Sequence, residues 1–301
     1  MNDRSNLNRD LRCGIMRPLI VCLLVLVTAC DGRSTPTTIA PPPPTSTTTF
    51  STTTTTPAAP EIGCPREAEF VGSGQIDRIT QPSSDSRTLG LVSRQVVGSC
   101  ERFGFDFDTA ENAPATTPPS VTATYLDGER IIRIVLGIDR TVITDQLVET
   151  RLVDRLFVVR ALVGTMFVDL HLNEKTNARV SVSNTPARLT IELHPASGDI
   201  GPAPTVSNRL VLIAPRDGAT VDQEVEVSGY ARTSEANVLM VATLADDVVL
   251  EESTTAADWV NTWGEFRSTV TLPTGPVDLF LGEESAADGS LQGVILRLTV
   301  Q

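Results

Sequence analysis

The chain has 301 residues with 24 basic and 37 acidic side chains, a net charge of −13 with both histidines neutral. That acidity argues against nucleic acid, anionic lipid or anionic wall polymers as partners gathered by bulk electrostatics, since like charges repel. Only two histidines occur, with no GxSxG, HExxH, P-loop or GxGxxG pattern, so the chain is expected not to be an enzyme and to hold no cofactor or metal.

The first element in chain order is residues 1–29. Arg4, Arg9, Arg12 and Arg17, partly offset by Asp3 and Asp10, precede an apolar run from Leu19 to Val27. The run is about half of the roughly 20 residues that a permanent membrane helix needs, and it suits the central region of a signal peptide. It ends in Val27-Thr28-Ala29-Cys30, with small residues directly before the cysteine. This stretch resembles the lipobox of bacterial lipoproteins. The resemblance implies cleavage before Cys30, a diacylglycerol on its thiol, and a lipid-anchored protein at the extracytoplasmic face of the cell membrane. An ordinary secretory signal with a chance cysteine is the alternative.

Residues 30–62 follow as a linker. From Asp31 to Pro60 the chain is nearly all Thr, Pro, Ser and Ala, too poor in apolar side chains to offset the entropy of ordering. Fully extended at about 3.1 Å per residue, such a segment lifts a domain up to roughly 90 Å from the membrane. Loss of residues 1–29 leaves 20 basic and 35 acidic residues, a net −15. Lys175 is the single lysine against 23 arginines, a bias that points to a GC-rich genome. Cys13 and Cys22 leave with the signal, and Cys64 and Cys100 remain. In an exported chain a disulfide is the default for such a pair, and it contributes about 3–4 kcal/mol in the chain-entropy model. A reactive thiol or metal site would want a nearby histidine or a CxxC spacing, and neither is present.

Residues 63–198 read as a β-domain. Phe103, Phe105 and Phe107 alternate with Arg102, Gly104 and Asp106, a period of two with one buried face. Further strand patterns occupy 121–125, 131–136, 157–161, 166–172, 178–183 and 187–194. The spacing of Leu147, Val148, Leu152 and Leu156, with Thr144 as cap, predicts one helix over Thr144–Arg155. The stretch Cys100–Asp108 is similar to the acidic-Arg-hydrophobic strand near the start of AMIN-like domains, and Pro186–Pro195 resembles that family's closing strand. Two departures stand out: Glu101 where the family more often has Asp, and the inserted loop 109–120. The resemblance covers roughly 90–196 and implies a β-sandwich that binds the cell wall without catalysis, of a kind that recurs in actinobacterial lipoproteins. Arg102 and Arg188 are then candidate ligand contacts; alternatively they are solvated, or paired with Glu101 and Glu192.

Residues 205–301 carry clearer punctuation. Pro215 and an Asp217-Gly218 turn precede a strand at 224–231; segments at 237–253, 266–272, 277–285 and 294–300 complete about seven strands with turn signals every 8–15 residues. That spacing suits an immunoglobulin-like sandwich. The pieces "PRDGATV", "VSGYA", "WGEF" and "EESAADG" are similar to the immunoglobulin-like domain named from bacterial spore germination proteins, which implies an accessory interaction domain. The fold class is therefore all-β, two sandwiches after a signal peptide and linker. The only tryptophans are Trp259 and Trp263. An exposed pair would stack on a sugar ring; the alternative places Trp263 over the sandwich core. Acidic pairs such as Asp106/Asp108 and Asp246/Asp247 have the spacing of strand faces and turns, where carboxylates are solvated. Two functions fit: binding of cell-wall glycan or peptidoglycan, or docking of an envelope protein partner.

Overall fold

The computed structural model describes residues 70–301 except Asp127, Glu129 and Asp246. The signal peptide, Cys30, the Thr/Pro-rich linker and Cys64 lie outside the described residues. The described residues all fall within one compact unit. The described residues are nearly all β, as expected, with one 3₁₀ turn at Ser234–Ala236.

The first group of strands is β1 (Gln75–Ile79), β2 (Thr88–Val97), β3 (Cys100–Asp108), β4 (Val121–Leu126), β5 (Ile131–Leu136), β6 (Arg140–Thr141), β7 (Asp145–Leu147), β8 (Val153–Arg160), β9 (Met166–Leu172), β10 (Thr176–Ser183) and β11 (Arg188–Pro195). The second is β12 (Thr205–Val206), β13 (Leu210–Ala214), β14 (Thr220–Val221), β15 (Glu224–Ala231), β16 (Asn237–Leu244), β17 (Asp247–Thr255), β18 (Trp263–Thr271), β19 (Gly275–Glu284) and β20 (Leu291–Val300). They assemble into three sheets. Two are five-stranded, in the orders β10-β11-β3-β2-β6 and β14-β20-β19-β16-β17. The third runs through both groups, in the order β1-β4-β5-β9-β8-β18-β15-β13-β12, with β7 added beside β8.

Two cores fill the space between the sheets. In the first, Phe103, Phe105 and Phe107 of β3 and Leu189, Ile191 and Leu193 of β11 meet Ile132, Ile134 and Leu136 of β5 and Val168 and Leu170 of β9. In the second, Val225, Val227 and Phe266 meet Val238, Met240, Leu279, Leu281 and Leu296. Alternation accounts for both, because every second residue of a strand points to the same face.

The segment Thr144–Arg155 is not a helix. It is a hairpin in which β7 pairs antiparallel with β8, Asp145 opposite Phe157 and Leu147 opposite Arg155. The local spacing loses to two longer-range effects. The Glu101 carboxylate of β3, 4% exposed, accepts the Thr150 hydroxyl at 2.5 Å and the Leu152 N–H at 3.0 Å, which captures the turn. Glu149 also adopts a left-handed φ of 48°, which a helix cannot hold. The β-branched residues Val148, Thr150 and Val153 suit the extended alternative.

The two groups are fused by one parallel rung, with Val159 opposite Trp263 and Arg160 opposite Gly264. A third cluster packs around it: Phe157, Val159, Ala161, Phe167, Val211, Tyr230 and Trp263. The Phe157 ring stands edge-on to Trp263 at 5.0 Å and tilted to Tyr230 at 5.2 Å. Gly264 is required here, because a Cβ would come within 2.2 Å of the Asp258 backbone nitrogen. β9 is consequently buried on both faces: Met166, Val168, Leu170 and Leu172 enter the first core, while Phe167, Asp169 and His171 face the seam.

Polar groups at the seam are satisfied in pairs. Arg133 donates from Nε and Nη2 to Asp169 at 2.9 and 2.8 Å and stacks 3.9 Å over the Phe167 ring. The Thr262 hydroxyl donates to the Val158 carbonyl at 2.5 Å, and the Leu162 N–H donates to Glu265 at 3.0 Å. His171 Nε2 and the Tyr230 hydroxyl share a hydrogen bond of 2.5 Å. Burial, reinforced by Arg155, Arg216 and Arg133, pushes the His171 pKa down from 6.5 to about 3.

A pH dependence follows from that shift. Below pH 6.5 the unfolded chain takes up a proton that the folded chain refuses until about pH 3, so this group's contribution falls as pH drops through that window. Between pH 7 and about 5 the wild type is expected to lose about 2 kcal/mol more than a His171→Gln variant in urea unfolding. Equal losses in the two proteins would contradict the neutral buried imidazole.

Candidate functional site

Two surfaces carry the residues singled out in the sequence. The first is the outer face of β10-β11-β3-β2. Facing outward from β3 are Arg102, Gly104 and Asp106, and their cross-strand partners on β11 are Glu192, Thr190 and Arg188. Arg188 donates from Nε and Nη2 to Asp106 at 2.5 and 2.8 Å. Arg102 donates from Nε to Glu192 at 2.9 Å, and Arg179 of β10 holds the other oxygen of the same carboxylate. Burial alone would raise the Glu192 carboxyl, but the hydrogen bonds from Arg179 and Arg102 outweigh it and hold it below the ordinary range.

Each guanidinium is thus laid along the sheet by a carboxylate on the neighbouring strand. Arg188 keeps 43% of its side chain exposed. Gly104 lies between the two pairs and is covered: a Cβ there would come within 2.8 Å of the Ser93 hydroxyl and 3.6 Å of the Arg188 side chain, so a larger residue would push both aside. The pairing of Arg102 with Glu192 is the alternative raised from the sequence; Glu101 instead points inward. Cys100, at the head of β3, is 2% exposed, a setting that suits a disulfide, and its expected partner Cys64 lies outside the described residues.

The second surface is a groove beside the seam. The structure separates the two tryptophans. Trp263 is buried in the seam cluster and donates from Nε1 to Asp145 at 3.1 Å, so it covers the junction and not the sandwich core. Trp259 is 43% exposed. Its loop is pinned by Asp258, whose Oδ1 accepts the N–H groups of Trp259, Val260 and Asn261 at 2.7, 3.0 and 3.0 Å. Arg160, from the first group of strands, donates to the other oxygen at 2.9 Å. Burial would raise the Asp258 pKa, and Arg160 with these backbone donors instead holds it below the ordinary range.

Trp259 stands at one end of a hollow of about 400 Å³ whose other walls are Asp145, Asn208, Arg209, Arg232, Ser234 and Trp263. A second hollow of about 350 Å³ shares Asn208 and Arg209 and ends at Gln292 and Gly293. Arg209 is oriented by Glu283 at 3.1 Å. None of Asn208, Arg209, Arg232 or Gln292 was foreseeable: they sit at strand ends and turns, where no periodicity marks them, and only folding brings them beside Trp259.

No curated protein and no solved structure matches the chain. Residues 210–290, from the start of β13 to the turn before β20, match Gmad2, the immunoglobulin-like domain of bacterial spore germination, a family that is not catalytic.

Proposed function

We propose that the chain is a non-catalytic envelope protein, anchored at the extracytoplasmic face of the cell membrane by a diacylglycerol on Cys30, in which an AMIN-like first sandwich binds cell-wall glycan. Its source is an actinobacterium, and a Cys64–Cys100 disulfide ties the end of the linker to β3. The observation that carries the wall-binding reading is the outer face of β3 and β11. There Arg102 and Arg188 are fixed over the sheet by Glu192 and Asp106 on the neighbouring strands, and Arg188 keeps 43% of its side chain open to solvent. Such a face recognises hydroxyl and amide groups by hydrogen bonds and does not depend on net charge. A second reading, docking of an envelope protein, draws on β17, which pairs only with β16 and exposes Val248 and Val249.

The purified protein is expected to co-sediment with cell-wall sacculi without releasing muropeptides, and Arg188→Ala to lower the bound fraction. Protein left wholly in the supernatant favours the docking reading, and released muropeptides overturn the non-catalytic one. In cells, Cys30→Ala is expected to move the protein from the membrane fraction to the secreted or uncleaved pool. Continued partition with lipid would overturn the anchor.

A further inference from the structure

We infer that the groove running from Trp259 to Gln292 is a second binding site, and that it takes an uncharged oligosaccharide. This shares with the wall-glycan reading only the class of ligand, since it uses a different surface and, apart from Asp145, the other group of strands. Three observations bear on it.

The aromatic platform is prearranged. Trp259 is the one exposed indole in a chain with two tryptophans, and its loop is held by three backbone hydrogen bonds to one carboxylate. An indole face in that position offers apolar area to the C–H face of a pyranose, with no cost of ordering the loop on binding.

The polar walls carry both signs of charge, Arg209 and Arg232 with Asp145, and offer both donors and acceptors. Arg232 has no side-chain partner among the described residues, and its guanidinium is offset by the Asp145 carboxylate in the same hollow. Arg209 is matched by Glu283. Asn208 and Gln292 add amides, each with a donor and an acceptor side. A sugar hydroxyl donates and accepts at once, so mixed walls of this kind satisfy it. An anionic ligand would gain Arg232 but meet Asp145 on a chain of net −13. A purely apolar ligand would strip water from Arg232 and return no hydrogen bond.

The shape is open-ended. Two open hollows lie side by side with Asn208 and Arg209 lining both, and neither is a closed cavity, which suits a segment of a longer chain.

The test is titration calorimetry on the whole protein in mild detergent with two probes: chitotetraose, which is uncharged, and tetragalacturonate, which carries four carboxylates. Chitotetraose is expected to bind, with an affinity that does not change between about 20 and about 300 mM salt because no charge is being screened. Trp259→Ala and Arg232→Ala are each expected to weaken it at least about tenfold. Both side chains reach solvent, so the melting temperature should stay at the wild-type value, and both variants should still co-sediment with sacculi through the face of β3 and β11. No heat with chitotetraose in the millimolar range, binding of tetragalacturonate alone, or an affinity untouched by Trp259→Ala would each overturn the inference. Failure of the wild type to sediment with sacculi would overturn the proposed function and leave the chitotetraose titration unaffected.

Discussion

Replacing Arg133 by alanine is expected to destabilise Ala58–Gln301 by about 3–5 kcal/mol at neutral pH. Arg133 holds Asp169, which is fully buried, through two hydrogen bonds of 2.9 and 2.8 Å. The tyrosine and imidazole of the same seam supply no replacement charge, since burial keeps Tyr230 protonated and His171 neutral. Removing the guanidinium leaves a carboxylate in an apolar setting with Glu265 nearby, and both burial and that neighbour already push the Asp169 pKa up.

The sign of the accompanying pH effect is fixed by that direction. As pH rises above the ordinary Asp value of 3.8, the unfolded chain releases its proton while folded Asp169 keeps it, so the variant loses stability towards higher pH. Urea unfolding at two pH values measures this. The double variant Arg133→Met with Asp169→Leu should recover most of the loss, because what is costly is the unpaired charge and not the absence of the pair. A single-variant loss below about 1 kcal/mol would show that water reaches Asp169 and that the seam is open.

Phe157→Ala is the second large effect, also about 3–5 kcal/mol. The ring is 1% exposed and lies about 5 Å from three others, those of His171, Tyr230 and Trp263. Its loss removes apolar burial and leaves a cavity that the surrounding strands cannot close, because β8 is fixed on one side by β9 and on the other by the rung to β18. Truncation to alanine at an outward position, Leu147→Ala on exposed β7, should change stability by less than about 0.5 kcal/mol and serves as the control in denaturant melts. Comparable effects at the two positions would mean that the seam cluster is not packed as a core.

The sandwich strands were legible because each buries one face. Phe103, Phe105 and Phe107 announce β3, and Val225 and Val227 with the preceding Asp217-Gly218 turn announce β15. The hairpin at 144–155 was not, because its leucine spacing mimics a helix and the group that overrides it, Glu101, is about fifty residues away. The seam was hidden for a related reason. "MFVDLHL" shows an unbroken buried strand, but nothing in it says that Phe167, Asp169 and His171 meet Tyr230 and Trp263 rather than another layer of the same sandwich. Of the candidate site, the residue types Arg188 and Trp259 could be named from the sequence. Their carboxylate partners in Asp106 and Asp258, and the gathering of Arg232, Asn208 and Gln292 beside the indole, are products of the fold.

The central structural claim is that the two sandwiches share one sheet and one seam core, so that the groove beside Trp259 is built on a single compact unit. Scanning calorimetry of Ala58–Gln301 tests it most directly. The account predicts one unfolding transition whose calorimetric and van't Hoff enthalpies agree, as a cooperative unit requires. Two separated transitions, or a van't Hoff enthalpy near half the calorimetric value, would show the sandwiches unfolding independently and would contradict it.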